Sequence, residues 1–192
     1  MIFSDRDIKK MIEQGNITVE PSLTKEQMQP AWIDLTLSNE FRIFKHTDAA
    51  CIDPKEDNHY TETIKIDGDK PFILHPGEFV LGAVNEYIKL PADVVGAVDG
   101  RSSLGRLGVV VHLTSTFVNP GWGGKLVLEI TNAGKMPVKI YPGMRICKFV
   151  FFQMTSAAEE PYDKKEGSKY NEQKGVDASK YSEEFNNESQ NK

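Results

Sequence analysis

Cysteine is scarce: Cys51 and Cys147 are the two in 192 residues. Neither sits in a CxxC pair, so a zinc knuckle is not expected, and a reducing cytoplasmic setting with two free thiols is the simplest expectation. A disulfide between the two stays open as the other possibility. The four histidines, at 46, 59, 75 and 112, have no metal-ligand spacing. An HxE followed by PCxxC is also missing, which closes the usual zinc-activated attack of water on a nucleobase. There is no GxxxxGK[ST] phosphate loop and no GxSxG nucleophile elbow. Hydrolytic chemistry would therefore rest on carboxylates, hydroxyls and cations. No apolar run is long enough for a spanning helix. The opening "MIFSDRDIKKMIEQG" is charged throughout and lacks the apolar centre of a secretory signal. Cations are in deficit: 23 Lys and Arg against 28 Asp and Glu leave a net charge of -5. A general nucleic-acid binder is usually basic, so neither nucleic acid nor membrane is expected as a partner. A small anion can still be held by a local cluster.

Three kinds of sequence follow one another. The first is a helix. Ser4 can cap it, Asp7 fits the third position of a capping box, Ile8, Met11 and Ile12 share a face, and Gly15 offers a stop. From Ile33 to about Met154, short segments rich in Val, Ile, Leu and Phe are broken by "LHPGEF", "FVNPGW" and "IYPGMR". In each, Pro presets the second turn position and Gly accepts positive φ at the third. No helical pattern of the length a βαβ crossover needs lies between them, so the expectation is an all-β sandwich, jelly roll or barrel. In the last 36 residues, from Ala157, the only aliphatic side chain larger than Ala is Val176. Such a segment cannot bury enough surface to fold alone. It nevertheless carries Tyr162, Tyr170, Tyr181 and Phe185, which predicts an arm over Pro161–Gly175 that takes its order from another surface. Beyond Tyr181, a disordered tail and an ordered one are equally compatible with the composition.

The stretch "GRSSLGRLG", Gly100 to Gly108, holds two arginines in a glycine-serine setting. Glycines let backbone N–H groups approach an anion, Ser102 and Ser103 add hydroxyls, and Arg101 and Arg106 can grip phosphate through two N–H bonds each. Read alone, the block is either a triphosphate site or two solvated cations beside a turn. Glu129 interrupts "KLVLEITN". By alternation it shares a face with Val127, while Leu128 and Ile130 take the other. A carboxylate facing inward is costly unless paired or protonated, and a raised pKa there would suit a proton shuttle. A solvated glutamate on an edge strand is the alternative.

The block "DGRSSLGRLGVVVHLTSTFVNPGWGGKLVLEITN" resembles the centre of the deoxycytidine triphosphate (dCTP) deaminases, in the trimeric dUTPase-like superfamily. "QPAWIDLTLSNEFRIF", "FILHPGEFVLG", "LPADVVGAVDGRSS", "PVKIYPGMRICKFVFFQM" and "PYDKKEGSKYNEQKG" match the family in order, over nearly the whole chain. The resemblance implies an all-β distorted jelly roll (a dUTPase-like β-clip) with a short N-terminal helix. It implies a β domain over 1–156, and an arm over 157–192 that closes over the nucleotide and ends in a flexible stretch. It also implies a cytoplasmic homotrimer with shared sites, Mg2+ bound through the triphosphate, no protein metal ligands, no zinc, and dTTP as a feedback inhibitor. The reaction implied is hydrolysis of the cytosine amino group of dCTP to dUTP and ammonia, in the supply of dUMP and dTTP.

Carried over by motif, Glu129 is the catalytic carboxylate, with Arg106 and Ser102 organising the reacting water. Substrate contacts are expected from Arg101, Ser102, Ser103, Leu104, Gly105, Arg106, Asn119, Val127, Leu128 and Glu129. Tyr162, Lys169 and Gln173 are expected to add contacts from the arm, and His112, Thr114 and Ser115 to position water and base. Asp34 in "AWIDLTL" resembles a structural or metal-adjacent aspartate, though a plain strand-end carboxylate fits it as well. Trp32 and Trp122 are expected to pack rather than to stack on the base. Two positions depart from the family pattern. Ser115 replaces a common Ala, and Asn119 stands where Asp is common. Asn is a far weaker base than Asp, so Asn119 argues for an enzyme that stops at dUTP, against a bifunctional one yielding dUMP and pyrophosphate. A nucleotide-binding regulator without turnover is the third possibility.

Overall fold

The computed structural model describes residues 1–45, 47, 49–56 and 60–185. His46, His59 and the tail beyond Phe185 lie outside the described residues. The chain begins with α1 (Asp5–Glu13), where the Asp7 amide donates to Ser4 Oγ at 3.3 Å and the Ser4 amide to Asp7 Oδ2 at 3.1 Å. These bonds form the expected capping box and hold the Asp7 carboxyl below its usual range, the Ser4 side chain being the largest cause. Gly15, at φ 72, ends the turn after the helix.

Strands follow: β1 (Thr18–Glu20), β2 (Met28–Gln29), β3 (Trp32–Phe44), β4 (Thr61–Lys65), β5 (Phe72–Leu74), β6 (Phe79–Lys89) and β7 (Val94–Gly100). A one-turn helix, α2 (Ser102–Gly105), precedes β8 (Val109–Val110), β9 (Phe117–Val118), β10 (Gly123–Asn132), β11 (Val138–Ile140) and β12 (Arg145–Gln153). All pairings between these strands are antiparallel, in the order β8-β10-β6-β3-β12-β7-β9, with β5 and β11 forming a separate ribbon. The three Pro-Gly turns form as the sequence predicts. Gly77, Gly121 and Gly143 have φ of 75, 79 and 79. The residue after each donates back across the turn, Glu78 to His75 at 3.0 Å, Trp122 to Asn119 at 3.2 Å and Met144 to Tyr141 at 3.2 Å.

The long strand β3 makes the jelly roll. Its first half pairs with β12 (Ile33 opposite Phe149, Leu35 opposite Cys147). A register break between Leu37 and Phe41 turns it, and its second half pairs with β4 and β6. One strand thus passes from one layer into the other, and Leu35, Leu37, Phe41, Phe149, Phe151, Val84 and Leu128 fill the space between. Each such fully buried side chain contributes on the order of 1.5–3 kcal/mol.

Two buried polar groups are satisfied within this core. Glu86 accepts from Gln27 Nε2 at 2.7 Å, the Thr36 amide at 2.9 Å and Thr36 Oγ1 at 2.7 Å. Asp34 sits between two arginines, with Arg145 Nη1 at 3.1 Å and Arg101 Nε at 3.5 Å, and it also accepts from Trp32 Nε1 at 3.2 Å. Asp34 is thus a structural carboxylate. Cys147 is buried beside these acids, and burial above all pushes its thiol far up; Cys51 is exposed and both are free. No helix among the described residues is long and apolar enough to cross a membrane.

Candidate active site

β10 is the floor of the site. Alternation puts Leu126, Leu128 and Ile130 in the core and leaves Val127 and Glu129 half-buried on the opposite face. That face opens into a cavity of about 440 Å³ lined in part by Val127, Glu129, His112, Ser115, Asn119 and Gln173, a size suited to a small-molecule ligand. The Glu129 carboxylate is held in a fixed pose. The Thr114 amide donates to Oε2 at 2.8 Å, and the Thr114 hydroxyl lies 2.9 Å from Oε2 and 3.2 Å from Oε1. The His112 ring spans the same loop, with Nδ1 3.4 Å from the Glu129 amide and Nε2 3.4 Å from the Ser115 carbonyl. A neutral ring with its proton on Nε2 satisfies both contacts. Ser115 itself adopts φ 55, a left-handed conformation uncommon outside glycine.

The arm forms the opposite wall, lying on β10 of the β domain. Glu172 donates its amide to the Gly123 carbonyl at 2.7 Å, and Lys125 donates to the Gln173 carbonyl at 2.8 Å. The approach is close enough that a Cβ on Gly124, at φ 149, would lie 2.9 Å from the Gln173 amide nitrogen. Trp122 Nε1 donates to the Tyr170 carbonyl at 2.8 Å, so this indole pins the arm while lining the cavity, and Trp32 lies under Lys148. Tyr87 Oη lies 3.0 Å from both carboxylate oxygens of Glu172. Burial, and secondarily that carboxylate, pushes the Tyr87 phenol up to about 12.

The expected site residues divide into two groups. Glu129, Val127, His112, Ser115, Asn119, Tyr162 and Gln173 line the cavity, and Thr114 meets it through Glu129. Arg101, Ser102, Ser103, Gly105 and Arg106 do not line it; they lie on and beside α2. Arg101 is engaged with Asp34 and donates to the Arg145 carbonyl at 3.1 Å, whereas Arg106 is exposed with no ion pair among the described residues. Leu104 and Leu128 keep their side chains in the core, at 8% and 0% exposure, so a contact with a nucleotide would come from their backbones. Lys169 is on the arm as expected, yet it is ion-paired with Glu184, which pushes its ammonium up, and it packs over the Tyr181 ring.

Thr61, Tyr170 and Asp177 also line the cavity. Of these, Tyr170 belongs to the quoted arm motif, while Thr61 carries no sequence signal at all. Among the described residues no three His, Cys, Asp or Glu side chains gather as a metal cage.

A family profile described as dCTP deaminase-like matches residues 2–154. A protein of Dictyoglomus thermophilum named "dCTP deaminase, dUMP-forming" is 50% identical over 188 residues, 96% of this chain and 97% of that one. Its counterpart in Dictyoglomus turgidum, of the same name, is 51% identical over the same shares. The crystal structure of 2'-deoxycytidine 5'-triphosphate deaminase from Agrobacterium tumefaciens superposes with a TM-score of 0.62 at 20% identity, covering 78% of this chain and 48% of that one, so the chain spans about half of it. That superposition supports the β fold, and the profile and the near-full-length identities place the chain in the dCTP deaminase-like family.

Proposed function

We propose that the chain is a dCTP deaminase in which Glu129 moves the protons. The observation that carries this is a carboxylate fixed by two donors from Thr114 on the wall of a nucleotide-sized cavity. Water adds to C4 of the cytosine and loses a proton to Glu129, which passes it to N3. Glu129 then takes the proton of the new C4 hydroxyl and delivers it to the amino nitrogen as the C4–N bond breaks, leaving the 4-carbonyl and ammonia. His112 and Ser115 shape the water pocket, and fixed hydrogen bonds replace metal activation. Among the described residues no side-chain cluster is built to hold Mg2+, so the ion would be carried by the triphosphate and would neutralise part of its charge.

The phosphates fall to Arg101, Ser102, Ser103 and Arg106. These lie outside the cavity of their own chain, which supports a homotrimer in which one copy's α2 block completes a neighbour's site. The arm, 157–192, closes over the nucleotide through Tyr162, Gln173 and Lys169, the last after leaving Glu184. For the product, the names of the half-identical relatives favour a second hydrolysis, dUTP to dUMP and pyrophosphate, in the same site. Asn119 favours release at dUTP, because it lines the cavity without a basic carboxylate. Product analysis with dCTP and Mg2+ separates the two, and added dTTP tests feedback.

Glu129→Gln is expected to bind dCTP and release no ammonia; near-normal turnover would remove Glu129 from the chemistry. Mixing Glu129→Gln with Arg106→Ala, each inactive alone, is expected to regenerate activity after subunit exchange. Failure of demonstrably mixed trimers to regain any would refute the shared site.

A further inference from the structure

The arm is fastened a second time, away from β10, by two charged residues of β3. Glu40 and Arg42 are two positions apart and so face the same side of the strand. Glu40 Oε1 accepts from the Val176 amide at 3.0 Å, and Arg42 Nε donates to the Val176 carbonyl at 2.7 Å. Both backbone groups of one arm residue are thus held by side chains of opposite charge, each matched to the group it can bond. Their outer atoms are braced in turn: Arg42 Nη1 donates to Thr61 Oγ1 at 3.1 Å, and Lys65 Nζ lies 3.5 Å from Glu40 Oε2. Val176 is the one large aliphatic residue of the arm and is 2% exposed. The next residue, Asp177, already lines the cavity that contains Glu129. A Cβ on Gly175 would lie 2.7 Å from Glu40 Oε1, so a side chain there would push that carboxylate off the Val176 amide.

We propose that Arg42 and Glu40 are positioning residues for the reaction, a latch that holds the arm shut over the nucleotide by gripping the backbone of Val176. This rests on the proposal that the arm covers bound dCTP. A charge pair kept for solubility would have no reason to engage one backbone unit more than 130 positions away. The latch acts on occupancy of the closed state, so its loss weakens substrate retention rather than the proton transfers at Glu129.

The test uses the full-length protein with Arg42→Ala, Gly175→Ala and the conservative Glu40→Gln, which keeps an acceptor. For each, KM and kcat for dCTP, the rate of tryptic cleavage after Lys174, and the thermal midpoint are measured. Arg42→Ala and Gly175→Ala are expected to raise KM by about tenfold, the loss of one charge-assisted bond. They should speed cleavage by a similar factor, with kcat and the midpoint little changed, while Glu40→Gln stays near wild type. Unchanged KM and cleavage in both Arg42→Ala and Gly175→Ala would overturn the latch. So would a fall in kcat at constant KM, which would put Arg42 in the chemistry. Cleavage is read without nucleotide, so a wild type that fails to turn over dCTP would defeat the deaminase assignment and leave the latch still measurable.

Discussion

Thr114→Val probes how much of the chemistry depends on the pose of Glu129. The substitution keeps the shape of the side chain and the backbone amide, so the 2.8 Å bond from the Thr114 N–H to Oε2 survives. It removes the hydroxyl that lies 2.9 Å from Oε2 and 3.2 Å from Oε1. A hydrogen bond to a charged group contributes about 1.5–3 kcal/mol when shielded. Thr114 is exposed, so water competes, and about 1 kcal/mol is the appropriate figure. If the carboxylate must hold that pose in the transition state, kcat/KM falls about five- to tenfold. Ammonia release measured across a dCTP series gives the number directly, and dCTP affinity should stay within about twofold. An unchanged or higher rate would mean that the Thr114 contact does not serve the reacting state. A loss beyond about a hundredfold would mean that the hydroxyl touches the water itself.

Asp34→Ala should destabilise the β core. It leaves Arg101 and Arg145 without their shared carboxylate. The two guanidiniums are 26% and 36% exposed, which limits the penalty to about 2–4 kcal/mol. A thermal midpoint lower by about 5–15 °C is expected, and a drop below about 2 °C would refute the structural role. Tyr87 holds its proton more tightly folded than unfolded, its phenol standing at about 12 rather than 10.0. Its contribution is therefore complete below pH 10.0 and fades as pH rises toward about 12. A phenolate absorbance titration should contain one late-ionising tyrosine that Tyr87→Phe lacks, and identical curves would contradict the pairing with Glu172.

Local rules were legible. The capping box at Ser4 and Asp7, the turns at Pro76–Gly77, Pro120–Gly121 and Pro142–Gly143, and the two faces of β10 all follow from neighbours in sequence. Glu129 was legible for the same reason: a charge within an alternating strand has one face to occupy. What was illegible depends on distance along the chain. Glu86 meets Gln27 59 positions away, and Asp34 meets Arg145 111 positions away. Nothing local distinguishes either from a solvated acid. Leu104 and Leu128 lie inside the quoted motif, while the turn of α2 and the pleat of β10 send their side chains into the core. A motif marks a segment, and local geometry decides which of its side chains point away. Glu40 and Arg42 look like ordinary charges on an exposed strand until the arm is laid over them.

The passage of β3 through both layers has a consequence for variation. Asp34 holds Arg101 at one end of the strand, and Glu40 holds Val176 six residues on, about 20 Å along an extended backbone. The strand is therefore a ruler between the cationic block and the arm. Inserting one residue between them would turn one of these carboxylates to the wrong face. Relatives that accept a longer or shorter ligand are expected to differ in the loops and in the arm, while the interval from Asp34 to Glu40 keeps its length.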